Sequence, residues 1–81
     1  MVVPAPEKPW LPEAEPLIRS EDWGALETHA RAWIVAQPGS APAHATLGQA
    51  LLRQQRLPEA EVALRRALEI DPFFFWAWAH L

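Results

Sequence analysis

Shifted by 34 positions, the chain falls partly onto itself. Pro38 lands on Pro72, and the same shift carries Leu17 to Leu51, Ile18 to Leu52, Arg19 to Arg53, Glu27 to Glu61, Arg31 to Arg65 and Ile34 to Leu68. A fixed period of this length marks a stacked supersecondary unit, in which each copy has an apolar face that only its neighbour buries. The shift also fixes the meaning of the last residues. Ala43 maps to Ala77 and Leu47 to Leu81, so the closing run FFFWAWAHL stands in the frame of APAHATL and opens a third unit.

The period alone leaves open what the unit is made of, and composition decides this. Fifteen of the 81 residues are Ala, which loses no side-chain entropy on entering a helix, so the units are predicted to be all-α. A chain this short holds one domain with a small core. It has no Cys, which removes disulfides, thiolate metal sites and thiol nucleophiles. The net charge of −3 is scattered, with Arg53, Arg56, Arg65 and Arg66 interleaved among Glu59, Glu61 and Glu69, as on a solvated helix surface. No concentrated basic face is present, so a nucleic-acid partner is not expected. The opening MVVPAPEKPW has prolines at 4, 6 and 9 and a single Lys, which suits an extended lead-in over residues 1–12 rather than a secretory signal. The closing aromatic run is nine residues long, against about 20 for a membrane span. No span is expected within this chain, and a cytoplasmic location is favoured.

The middle unit, APAHATLGQALLRQQRLPEAEVALRRALEIDP, reads as two helices. Ser40 can cap the first, with Pro42 in its first turn, where a missing N–H matters little. Ala43, Leu47, Ala50 and Leu51 recur at helical spacing. Leu57 precedes a proline and is pushed from helical geometry, while Pro58 opens the next helix. There Ala60, Ala63, Leu64, Ala67 and Leu68 form one stripe. Gly48 inside a helix sacrifices about 1 kcal/mol relative to Ala, which implies that another backbone comes close, with Ala60 as the opposite wall. Helices are predicted over 13–20, 22–36, 41–55, 58–70 and 74–81, in a helical domain spanning 13–81. A helix begun at Pro12 would be broken by Pro16, hence the start at Glu13. Ser20 and Ser40 are expected to act as caps, and Glu21, Asp22 and Glu27 to favour the start of the second helix.

These residues resemble the tetratricopeptide repeat family. Leu47-Gly48, Ala60, Leu64, Ala67-Leu68 and Pro72 stand where that family has its Leu-Gly, Ala, large apolar, Ala and Pro positions, so residues 41–72 form one clear repeat. The unit before it is degenerate: Trp10, Leu17, Ala30 and Pro38 fit, but Glu13-Ala14 replaces Leu-Gly, Leu26 a small residue and Trp33 an Ala. Helix packing must differ there. The third unit is truncated, with Trp78 and Leu81 in family positions. The resemblance implies an α-solenoid of about two and a half antiparallel helical hairpins.

In function, the resemblance implies a protein-binding scaffold whose first helices line a concave groove for a partner chain; no enzyme constellation emerges from the residues, and neither catalysis nor a cofactor is expected. Residue by residue the groove positions are Arg19, Ala45, Gln49, Leu52, Arg53, Trp76 and Ala79. Arg19 and Arg53, one repeat apart, present guanidinium groups suited to a carboxylate or acidic segment, or are ordinary solvated arginines near helix ends. An exposed Trp such as Trp76 beside arginines has the composition of an interface hot spot. The Lys, Asn and Arg set with which some members clamp a terminal carboxylate is missing, since the chain has no Asn and one Lys. Alternatives are a regulatory or docking segment of a larger enzyme, a transferase for example, and a homodimerisation module.

The aromatic run bears on the last of these. Phe74, Ala77, Trp78 and Leu81 fall at i, i+3, i+4 and i+7 and are expected to face the preceding hairpin, leaving Phe75 and Trp76 elsewhere. An unfinished patch of about 300–600 Å² calls for cover, by further repeats or by a second copy docking through residues 73–81. His29, His44 and His80 show no metal-ligand spacing, and His44 is expected to fill space between helices. Glycine occurs only at 24, 39 and 48, so no phosphate-cradling loop is present.

Overall fold

The computed structural model describes residues 10–73, which form four helices: α1 Trp10–Arg19, α2 Trp23–Ala36, α3 Ala41–Arg53 and α4 Leu57–Ile70. No strand occurs among the described residues. Each helix packs on its neighbour in the chain, α1 on α2, α2 on α3 and α3 on α4. Short turns between such neighbours make antiparallel hairpins, so the fold is an all-α helical repeat. The expected helix over 74–81, and with it Trp76 and Ala79, lies outside the described residues, as do residues 1–9 of the expected lead-in.

The period holds in the backbone. α2 begins at Trp23 and ends at Ala36, and α4 begins and ends 34 positions later; the ends of α1 and α3, Arg19 and Arg53, are separated by the same 34. The joints repeat as well. Glu21 and Gln55, also one period apart, have φ of 57° and 62°. In the first joint Glu21 N–H donates to the Ile18 carbonyl at 3.1 Å and Asp22 N–H to that of Leu17 at 3.0 Å. In the second, Gln55 N–H donates to Leu52 and Arg56 N–H to Leu51, both at 3.0 Å. This crossed pattern satisfies the last carbonyls of α1 and α3, and it normally uses Gly at the left-handed position. A left-handed non-glycine residue costs roughly 1–2 kcal/mol, so the surrounding packing holds each joint in place.

The helix boundaries depart from expectation at five ends, two of them by a single residue where α1 stops at Arg19 and α2 starts at Trp23. α1 starts at Trp10 and contains Pro16, where a break was predicted. Pro12 and Pro16 are both exposed, so the Pro12 carbonyl that loses its helical donor is open to water. α3 ends at Arg53, two residues early, because Gln55 turns left-handed, and α4 takes in Leu57 with Pro58 in its first turn. Ser20 does not cap α2. Its hydroxyl donates to the Leu17 carbonyl at 3.2 Å, and Asp22 caps instead, accepting from Ala25 N–H at 3.2 Å. Ser40 caps α3 as predicted, accepting from Ala43 N–H at 3.3 Å.

α3 is the centre of the core because it is covered by α2 on one flank and α4 on the other. Leu47 and Leu51 pack with Ala30, Ala60 and Ala63, while Ala41 and Ala45 pack with Ala67. A methyl placed on Gly48 would lie 2.6 Å from Cγ and Cδ2 of Leu64 and 3.4 Å from the Ala60 carbonyl oxygen. The close approach predicted at Gly48 is therefore made chiefly to the Leu64 side chain. The expected α4 stripe divides into two rows: Ala60, Ala63 and Ala67 are buried, Leu64 is half-buried and Leu68 exposed.

The degenerate first unit solves its packing with larger groups. Leu26 is fully buried against Ala14 and Ala50. Trp33, in an Ala position, is buried and stacks on Trp10 with ring centroids 6.2 Å apart and planes 6° from parallel. His29 lies against both rings and donates from Nε2 to the Trp10 carbonyl at 2.7 Å.

Candidate functional site

The exposed surface of α3 lies near its C-terminal end. At ~100° per residue, Gln49 lies between Leu52 and Arg53 around the helix, so these three predicted groove residues share one face. Gln49 is half-buried, and Leu52 and Arg53 are exposed. Ala45, a fourth position on that face, is buried; it sits deeper along α3, where α4 covers it through Ala67. Ala45 therefore offers nothing to a partner.

Arg53 is set apart by its company. Its guanidinium lies over the half-buried Trp23 ring, 5.5 Å from the centroid. Among the described residues every other arginine has a carboxylate: Arg19 with Glu15, Arg31 with Glu27, Arg56 with Glu27 and Glu59, Arg65 with Glu61 and Arg66 with Glu69. A cation held on an aromatic face keeps its N–H donors at the ring edge available for an anion. Arg19, one period earlier, is spent differently, pairing with Glu15 on its own helix at 3.5 Å.

A second feature lies on the other side of the stack, where α2 and α4 diverge. A cleft of about 900 Å³ has Leu47, Leu51 and Ala63 as its floor and Ile34, Val35 and Val62 as its walls. Val35 is 82% exposed and Val62 68%. His44, expected to fill space between helices, is half-buried and lines this cleft, its Nε2 donating to the Pro38 carbonyl at 2.9 Å. The signal for this cleft in the sequence is Val62, an apolar residue among Glu59, Arg66 and Glu69 on an otherwise charged face of α4.

The cleft is closed at one end by a polar network that ties α2 to the α3–α4 joint. Glu27 Oε1 accepts from Gln54 Nε2 at 3.0 Å and from Arg56 Nη1 at 2.8 Å, while its Oε2 accepts from Arg31 Nε at 2.9 Å. Arg56 Nη2 also donates to Glu59 Oε2 at 2.6 Å, and Arg31 approaches the same oxygen at 4.0 Å. These donors, Gln54 foremost and then Arg31, hold the Glu27 carboxyl below its ordinary range. Among the described residues no group of His, Asp or Glu is arranged to hold a metal ion, and no helix is long and apolar enough to cross a membrane.

Comparison with known families identifies the second hairpin. Residues 41–74, which take in α3, α4 and the turn after them, match the family model of the tetratricopeptide repeat. No curated protein and no solved structure matches the chain.

Proposed function

From a chain that carries a tetratricopeptide repeat, in general a protein–protein interaction module, we infer a scaffold that takes hold of an acidic segment of a partner chain at the end of α3. The observation that carries this reading is Arg53, the one arginine without a carboxylate among the described residues, held over Trp23 at 5.5 Å. The ring restrains the guanidinium before a partner arrives, which lowers the entropy lost in forming a bidentate carboxylate contact. Gln49, half-buried beside it, supplies an amide that can donate to or accept from an extended backbone. Leu52 adds an apolar contact on the same face. Arg19, at the end of α1, belongs to this reading as a further groove position, and Trp76 and Ala79, outside the described residues, are the positions proposed for the third unit.

A synthetic peptide library of even composition, panned against the full chain, tests this reading. Selected peptides are expected to be enriched in Asp and Glu at one position, to bind less tightly as salt rises, and to lose roughly tenfold in affinity on Arg53→Gln, about 1.4 kcal/mol. Selection indifferent to acidic residues, or peptides bound equally by Arg53→Gln, would remove Arg53 from the site. Trp76→Ala in the same assay decides whether that ring takes part.

A further inference from the structure

α4 has two apolar rows, and one of them lacks cover among the described residues. Ala60, Ala63 and Ala67 are buried against α3. Leu57, Leu64 and Leu68 fall within about 40° of one another at ~100° per residue, roughly a quarter turn from the alanine row. Leu57 is 57% exposed, Leu68 42% and Leu52, at the end of α3, 43%. With Leu64 they line a shallow cleft of about 390 Å³. One period earlier the same three positions are Trp23, Ala30 and Ile34. Those do have cover: Ala30 and Ile34 pack with Leu47 and Leu51, and Trp23 packs against the cluster that holds Ala50, all on α3. The molecule itself thus shows what such a row accepts, namely a helix.

The charges beside the leucine row select which helix. Glu61 and Arg65 line the same cleft and pair with each other along α4, both side chains 67% exposed. Two α4 helices laid antiparallel, with a two-fold axis between residues 62 and 63, bring Leu57 opposite Leu68 of the second copy. The same operation sets Glu61 near Arg65 of the second copy, and the reverse contact follows by symmetry. That is the self-complementarity an isologous interface requires. We propose that the Leu57–Leu64–Leu68 row is a homotypic interface, covered by α4 of a second copy. A single helix face makes a small contact, so the dimer is a weak one that dissociates on dilution.

Sedimentation of the full chain over a wide concentration range tests this, with circular dichroism to confirm that each variant keeps its helix content. Wild type is expected to pass from monomer to dimer. Glu61→Arg and Arg65→Glu each place like charges across the axis and are expected to weaken self-association roughly tenfold or more. An equimolar mixture of the two variants sets opposite charges against each other at every contact and is expected to dimerise again. Leu57→Glu, at an exposed position, is expected to abolish the dimer without unfolding the chain. A wild type that stays monomeric throughout overturns the proposal and leaves the leucine row to the chain's own residues 74–81. A dimer unmoved by either charge reversal also overturns it and places the contact elsewhere, as in pairing through the aromatic run.

Discussion

Two glycines inside helices make opposite predictions, because one faces a neighbour and the other does not. At Gly48 a methyl would meet Leu64 Cγ and Cδ2 at 2.6 Å, so the leucine must move, whereas at Gly24 nothing lies within 4 Å. Gly→Ala in a helix contributes up to about 1 kcal/mol of stability, and overpacking a tight contact removes roughly 1–3 kcal/mol. Gly24→Ala is therefore expected to stabilise by several tenths to about 1 kcal/mol, and Gly48→Ala to destabilise by about 1 kcal/mol, in urea titrations. Leu64→Ala introduced beside Gly48→Ala should add less destabilisation than it does alone, since it vacates the contested space. That Gly48 has a packing role is legible in the sequence, because glycine is an expensive choice in mid-helix. Which atoms crowd it is not legible: Ala60 was the expected wall, and the rotation of α4 that brings Leu64 closer is a property of the packed pair. Arg53 is a similar case. Its exposure could be read from the helix period, but its seat over Trp23 depends on where the start of α2 meets the end of α3.

Between elements, the network on Glu27 is the strongest polar tie, because one carboxylate receives donors from α2, from the end of α3 and from the joint before α4. Removing its charge with Glu27→Gln is expected to destabilise the fold by about 1 kcal/mol at neutral pH, the scale of one lost charge-assisted contact in a partly solvated network. The pH dependence follows from the sign of the shift. Glu27 is held below its ordinary carboxylate value of 4.5, so its contribution is fully present above that pH and fades as pH falls through the lower folded value. The gap between wild type and Glu27→Gln in chemical denaturation should therefore be widest at neutral pH and close in acid. A gap that is constant with pH would mean that shape rather than charge carries the tie. The sequence assigned Glu27 to the start of α2 as a helix-dipole charge, because its partners at Gln54 and Arg56 lie a full hairpin away. The early start of α1 was hidden for a related reason: Pro16 weakens a helix by crowding the Pro12 carbonyl and freeing it from its donor, and how far water makes up that loss depends on exposure, which here is high at both Pro12 and Pro16.

At the scale of the whole molecule, stability in a linear stack is shared between neighbours, and a helix with one neighbour has less of it. Among the described residues α1 packs mainly on α2, and less extensively than α3 packs on α4. Hydrogen exchange is accordingly expected to be fastest in α1 and slowest in α3, which is covered on both flanks; equal protection throughout would mean that the four helices open as one unit. The stack itself was legible, because Pro38 and Pro72, the small residues of the middle unit and the alternation of apolar rows all state one period. The cleft between α2 and α4 was not, since the distance between two helices that barely touch is set by the helix lying beneath both. Glu21 and Gln55, in the same left-handed pose one period apart, point to how such a chain grows. Because each joint reverses the chain and returns it to the side from which it came, one whole unit can be duplicated and inserted without redesigning the pieces on either side.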